Sequence, residues 1–177
     1  MKLFRDINQD INAAKNFSLV SKPIIFFFNR GFHALLHYRL ANKLYKWRIP
    51  VLPLILTRII QICYAIDIDF RATLNGGIVV VHGVGLVVGS GAIINSNVIL
   101  FHGVTIGRRG VGPVISKNDG FPVIEENCII CAGSKILGNI IIGNNTTIGA
   151  NCVITNNIPS NSVCKIPNNH FLIYNKL

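Results

Sequence analysis

The sequence predicts a mainly β protein, a parallel β-helix of triangular coils, preceded by a short α-helical N-terminal region. Three observations predict it. Isoleucine stands at every sixth position from 124 to 154 without a break. The same frame runs upstream through Val88, Ile94, Leu100 and Ile106, and before that through Ile68, Leu74 and Val80. Four residues after the later anchors comes a small or aliphatic side chain: Cys128, Ser134, Ile140, Thr146, Cys152 and Ile158. Neither a helix nor an ordinary strand needs a period of six. A chain that turns a corner every six residues does, because each face must then bury one aliphatic anchor. Gly and Asn recur between the anchors, as in Gly143-Asn144-Asn145 and Gly149-Ala150-Asn151, and both tolerate the backbone of a tight corner.

The elements follow in order. Residues 1–66 lack the frame. Within them, His33 to Trp47 places Leu36, Leu40, Leu44 and Trp47 on one helical stripe, with Arg39, Lys43 and Lys46 beside it. Pro50 and Pro53 end that helix, and a second apolar one is expected from about Leu54 to Ala65. The run Val51–Ile66 falls short of the ~20 residues needed to cross a bilayer and contains Arg58. The β-helix is expected over 67–166, with a tail at 167–177. Between Ile106 and Ile124 the segment GRRGVGPVISKNDGFPV is rich in glycine, proline and charge, which predicts an ejected loop at about 107–122.

Composition bounds the rest. The 177 residues are one domain's worth of chain, and with 50% hydrophobic and 14% charged residues a large core is available. The start, MKLFRDINQD, has no apolar signal core, so a cytoplasmic protein is expected. Its five cysteines are read as reduced, buried thiols. Residues 1–66 hold ten Lys and Arg against Asp6 and Asp10. That imbalance suits a membrane surface, with Phe26, Phe27 and Phe28 nearby, although the dispersed cations read first as a solvated helix face. The dispersed helical spacing argues against nucleic acid.

Chemistry is sought where the frame slips. From Val80 to Val88 the step is eight rather than six, so two residues are inserted around His82-Gly83-Val84-Gly85. His82 and His102 both stand two positions beyond equivalent anchors. They should therefore lie on one face of neighbouring coils, about one strand spacing (~4.8 Å) apart. Histidine is the natural general base for a hydroxyl acceptor, and such a base needs a partner to hold its ring. Asp67 and Asp69 are the nearest candidates.

The stretch from Tyr64 to Pro167 resembles the hexapeptide-repeat acetyltransferases of the serine O-acetyltransferase branch. AIDID (65–69), HGVGLVVG (82–89), GVTIG (103–107), AGSKILGNIIIGNNTTIGANCVI (132–154) and VCKIP (163–167) follow that family's order, with a shorter match in HYRLANKLY. The resemblance implies a left-handed β-helix, acetyl-CoA as co-substrate without a metal, and a homotrimer or a dimer of trimers with active sites between subunits. It implies that His82 deprotonates the acceptor, that Asp67 orients His82, and that Ala132, Gly133 and Ala150 line the pantetheine and adenine track. Lys135, Arg108 and Arg109 would meet the phosphates of the coenzyme.

Departures from that branch shape the expected acceptor. The family's Arg-His-Pro after the long loop is Gly120-Phe121-Pro122 here, and the Asp before the catalytic histidine is Val81. The segment HGVTIGRRG (102–110) resembles the polysaccharide-modifying, colanic-acid-type O-acetyltransferases, where the histidine at position 102 recurs as a second catalytic candidate. The helical region is also shorter than in serine enzymes. A sugar hydroxyl of surface polysaccharide is therefore the expected acceptor, with L-serine of cysteine biosynthesis as the alternative. A zinc carbonic anhydrase-like site would need a third histidine, for which only His170 remains, and a non-catalytic scaffold would bind no coenzyme.

Overall fold

A computed structural model describes residues 2–110 and 120–166. The middle of the expected loop (111–119) and the tail with Pro167 and His170 lie outside the described residues. Four helices come first: α1 (Lys2–Ser18), α2 (Lys22–Phe28), α3 (Arg30–Lys46) and α4 (Leu52–Tyr64). Fourteen short strands follow among the described residues, and they sort into three parallel sheets. The first holds β1 (Asp67–Ile68), β4 (Val87–Val88), β7 (Thr105–Gly107), β10 (Lys135–Leu137) and β13 (Val153–Ile154). The second holds β2 (Thr73–Leu74), β5 (Ile93–Ile94), β8 (Val123–Ile124) and β11 (Ile141–Ile142). The third holds β3 (Val79–Val81), β6 (Ile99–Phe101), β9 (Ile129–Ile130), β12 (Thr147–Ile148) and β14 (Val163–Cys164). Successive strands visit the three sheets in rotation, which makes a parallel β-helix.

The six-residue anchors are its core. Ile94, Leu100, Ile106, Ile124, Ile130 and Ile136 are all fully buried. The positions four residues on fill the corners: Cys128, Ser134 and Thr146 have no exposed surface. One corner column is closed by Asn97, Asn127, Asn145 and Asn161, each with φ between 57° and 60°. Asparagine tolerates this left-handed conformation, and Asn145 also donates to the Asn161 side chain at 3.0 Å. The eighteen-residue step from Ile106 to Ile124 adds no coil, because β5 pairs directly with β8. At the loop's C-terminal base, the Phe121 ring lies so close to Gly89 and Gly91 that a Cβ at either would sit within 2.6 Å of it.

The helices cap the open end of the first coil, which otherwise presents unpaired backbone groups. Tyr38 donates from its hydroxyl to the Ala72 carbonyl (2.7 Å) and accepts from the Leu74 amide (3.1 Å). Burial pushes the Tyr38 hydroxyl up to about 12. Arg39 grips Asp10 through both its Nε and Nη2, and Nη2 also donates to the Asn75 carbonyl at 2.8 Å. Asp10 in turn accepts from the amides of Gly77 and Ile78 at 2.9 and 3.0 Å. Burial raises the Asp10 carboxyl, against the lowering pull of Arg39 and the two amides.

This corrects the expected helix face. The buried side of α3 carries Ala34, Leu35, Tyr38, Arg39 and Ala41, whereas Leu40 is 39% exposed and Trp47 63%. Arg39 is no solvated cation but a buried structural one. The thiols need correcting too. Cys128 and Cys152 are buried and all five cysteines are free, but Cys63 is exposed and Cys131 and Cys164 are only partly covered.

Candidate active site

The two-residue slip has a visible consequence in the corner between the third and first sheets. Down that corner one backbone hydrogen bond repeats: Gly85 to Ala65, Gly103 to Val84, Gly133 to His102 and Asn151 to Ala132, all N to O at 2.8–3.0 Å. In this ladder Val84, not His82, occupies the coil position equivalent to His102. His82 is the residue displaced by the insertion. It sits at φ 61°, a left-handed conformation that histidine enters more readily than most non-glycine residues, and stands exposed at the corner.

From the strand side the register is Val80 to Leu100 and Val81 to Phe101, so His82 stacks over His102. The rings meet edge to face with centroids 5.9 Å apart at 67°. Below them the same column shrinks to Ala132 and Ala150. Beside it, Gly103 and Gly133 (φ 66° and 72°) nearly touch, since a Cβ on Gly103 would lie 3.4 Å from the Gly133 Cα. Two imidazoles thus overhang a strip without bulky side chains. The Lys135 ammonium donates to the Gly103 carbonyl, which anchors its positive charge on that strip.

Asp67 opens β1, where it pairs with Val87, five residues beyond His82. Its amide donates to the Leu86 carbonyl at 2.9 Å, and Gly85 above bonds Ala65. No hydrogen bond or ion pair joins the Asp67 carboxylate to His82 among the described residues, and the two border different grooves. Asp67 instead borders a groove with Arg58 and Gln61 of α4 and with Asp69, Phe70 and Arg71. Asp69 is already committed to Arg71, with bonds of 2.9 Å (Nε) and 2.7 Å (Nη2). Partial burial alone would raise its carboxyl, but the Arg71 hydrogen bonds and charge outweigh this and hold it below the ordinary value. Of the two aspartates, only Asp67 is left to serve a histidine.

His82 also borders a second groove of about 260 Å³, shared with Ala14, Phe17, Phe28, Arg30 and Gly31. The sequence offered no signal for this wall, because α1, α2 and the start of α3 lie far from the solenoid frame. Arg108 is half-buried at the loop base and Arg109 is exposed there, so the loop carries two cations on the described side of 111. No three His, Cys, Asp or Glu side chains converge to hold a metal among the described residues.

Comparison with known proteins follows the same geometry. Residues 121–156 match a family described as "Bacterial transferase hexapeptide (six repeats)". A serine acetyltransferase of Buchnera aphidicola is 36% identical over 153 residues, covering 84% of this chain and 57% of that protein. The crystal structure of the Brucella abortus serine acetyltransferase in complex with coenzyme A superposes with a TM-score of 0.85 at 32% identity, covering 94% of this chain and 66% of that one. The soybean serine acetyltransferase apoenzyme gives 0.84 at 32%, covering 93% and 67%. The chain spans about half the length of the sequence relatives it matches.

These relatives overturn the sugar-hydroxyl acceptor and the polysaccharide-biosynthesis role expected above. That expectation rested on the departures at Gly120, Phe121 and Val81, on the resemblance of HGVTIGRRG to polysaccharide-modifying enzymes and on a helical region shorter than in serine enzymes. With 94% of the chain superposed, the helical cap belongs to the shared structure. Within residues 120–122 the Phe121 ring packs on Gly89 and Gly91, a local change inside a matching scaffold.

Proposed function

Because the chain belongs to the hexapeptide-repeat acyltransferases, we propose that it transfers an acetyl group from acetyl-CoA to the hydroxyl of L-serine. The observation that carries this reading is the His82–His102 pair overhanging the small-residue strip of Gly103, Ala132 and Gly133, in a chain whose relatives are serine acetyltransferases. The strip fits the coenzyme, since an extended pantetheine arm needs backbone it can approach closely. Lys135 stands on that strip, and Arg108 and Arg109 supply further positive charge near its edge for phosphates. The coenzyme contributes an acetyl thioester, an electrophilic carbonyl.

The protein's own residues do the rest. His82 takes the hydroxyl proton of the acceptor, which makes its oxygen nucleophilic, and then holds that proton within reach of the departing sulfur. Asp67 supplies the carboxylate that orients the imidazole. His102 supports the ring of His82 from the next coil. The outward aliphatic side chains of the sheets support assembly as a homotrimer, for Ile141 is 46%, Val153 63% and Val163 71% exposed in the single chain.

The test is release of free CoA thiol from acetyl-CoA on addition of L-serine, with light scattering to read the assembly of 19.4 kDa chains. Turnover with L-serine is expected. Coenzyme binding without thiol release in the presence of L-serine rejects the acceptor.

A further inference from the structure

The α1–α2 corner carries an exposed apolar surface that extends beyond the groove bordered by His82. Leu19, in the three-residue link between the two helices, is 90% exposed, and along α2 Ile24 is 52%, Phe27 66% and Phe28 80% exposed. Exposed Lys15, Lys22 and Arg30 flank this stretch in sequence. The charge around it is one-sided for a structural reason. The only two acidic residues of 1–66, Asp6 and Asp10, are 4% and 1% exposed and face Arg39. No carboxylate of the helical cap reaches the surface.

Leu19 adds an independent observation. It follows the last residue of α1 at φ 58°, a conformation that glycine or asparagine adopts at far lower cost than leucine. Stability of the free chain would favour a small residue there. An aliphatic side chain held almost fully exposed there leaves apolar surface for a contact outside the fold.

We propose that this corner is a membrane-docking surface: Leu19, Ile24, Phe27 and Phe28 insert into the interface of an anionic bilayer while Lys15, Lys22 and Arg30 meet its headgroups. A second copy of the same face is disfavoured, because two all-cationic surfaces would repel. No helix among the described residues is long and apolar enough to cross a membrane, so the attachment is peripheral. The groove that holds His82 shares Phe28 and Arg30 with this surface and therefore opens at the membrane plane.

Cosedimentation with phosphatidylcholine vesicles, with and without phosphatidylglycerol, tests the proposal. The whole protein should sediment with the anionic vesicles, weakly with neutral ones, and less as salt rises. Lys22→Gln should weaken binding about fivefold. Leu19→Gly should raise thermal stability yet cut vesicle binding at least tenfold, a combination that misfolding cannot produce. Absence of sedimentation with anionic vesicles overturns the proposal, as does undiminished binding of Leu19→Gly combined with Phe27→Ser. Dissociation of an oligomer by Phe27→Ser also overturns it, since the face would then lie between copies.

Discussion

The imidazoles of His82 and His102 meet edge to face across one coil step, 5.9 Å between centroids, although the chain between them is two residues longer than a regular coil. The extra residues, accommodated at Gly83 and Val84, let Val84 take the regular corner position. The histidine is pushed outward without interrupting the hydrogen-bond ladder beneath it. The insertion therefore costs the scaffold little and exposes one base.

His82→Ala should lower acetyl transfer by about 10²–10⁴-fold, the usual contribution of a positioned general base. His102→Ala should have a smaller effect, confined to kcat. Both variants should keep the wild-type circular dichroism, because neither ring belongs to the core. Equal turnover of His82→Ala and wild type in the thiol-release assay would remove the assigned base.

Asp67 and Asp69 should separate cleanly. Asp67→Asn should depress kcat and alter the acid limb of its pH profile, whereas Asp69→Asn should leave the profile in place. Arg71→Gln should let the Asp69 carboxyl rise toward its ordinary value, which NMR titration can follow. The sign for stability comes from that lowered carboxyl. The Asp69–Arg71 pair contributes above pH ~3.8 and loses its contribution as the pH falls through the lower folded value. Both side chains are partly exposed, so the effect on melting should be slight.

Arg39→Leu should destabilise the protein by about 3–5 kcal/mol, because it leaves Asp10 buried without its cation. Tyr38→Phe should cost about 1–3 kcal/mol by orphaning the Leu74 amide. Urea unfolding measures both. A surface-like loss below 0.5 kcal/mol for Arg39→Leu, on the order expected of an exposed substitution, would show that the cap does not depend on this pair.

Gly133→Ala should weaken coenzyme binding and cost about 1–2 kcal/mol of stability. The residue stands at φ 72°, and a Cβ would come within 2.1 Å of the Asn151 side chain. Isothermal titration with CoA and a melting curve would read the two effects separately. Unchanged affinity would place the coenzyme elsewhere.

How much of this was legible in the sequence differs from element to element. The anchors Ile94 to Ile148 could be read directly because a solenoid repeats one local demand, a buried aliphatic per face. The slip at His82 was legible for the same reason, as a departure from a strict period. The buried face of α3 was not. A helix laid across strand ends must satisfy unpaired amides and carbonyls as well as bury apolar surface. It does so with Tyr38, Arg39 and Asn42, which a hydrophobic stripe of Leu36, Leu40 and Leu44 cannot reveal.

The acceptor shows the same division. Gly120-Phe121-Pro122 invited a reading from missing side chains, yet those positions are a packed loop base within a scaffold shared with serine acetyltransferases. Periodic, nearest-neighbour packing settled the solenoid, its frame and the placement of His82 over His102 from the chain alone. The buried Asp10–Arg39 clamp, the engagement of Asp69 by Arg71 and the groove wall of Phe17, Phe28 and Arg30 were decided by the tertiary structure. They join residues far apart in sequence through hydrogen bonds and charge, for which no period exists.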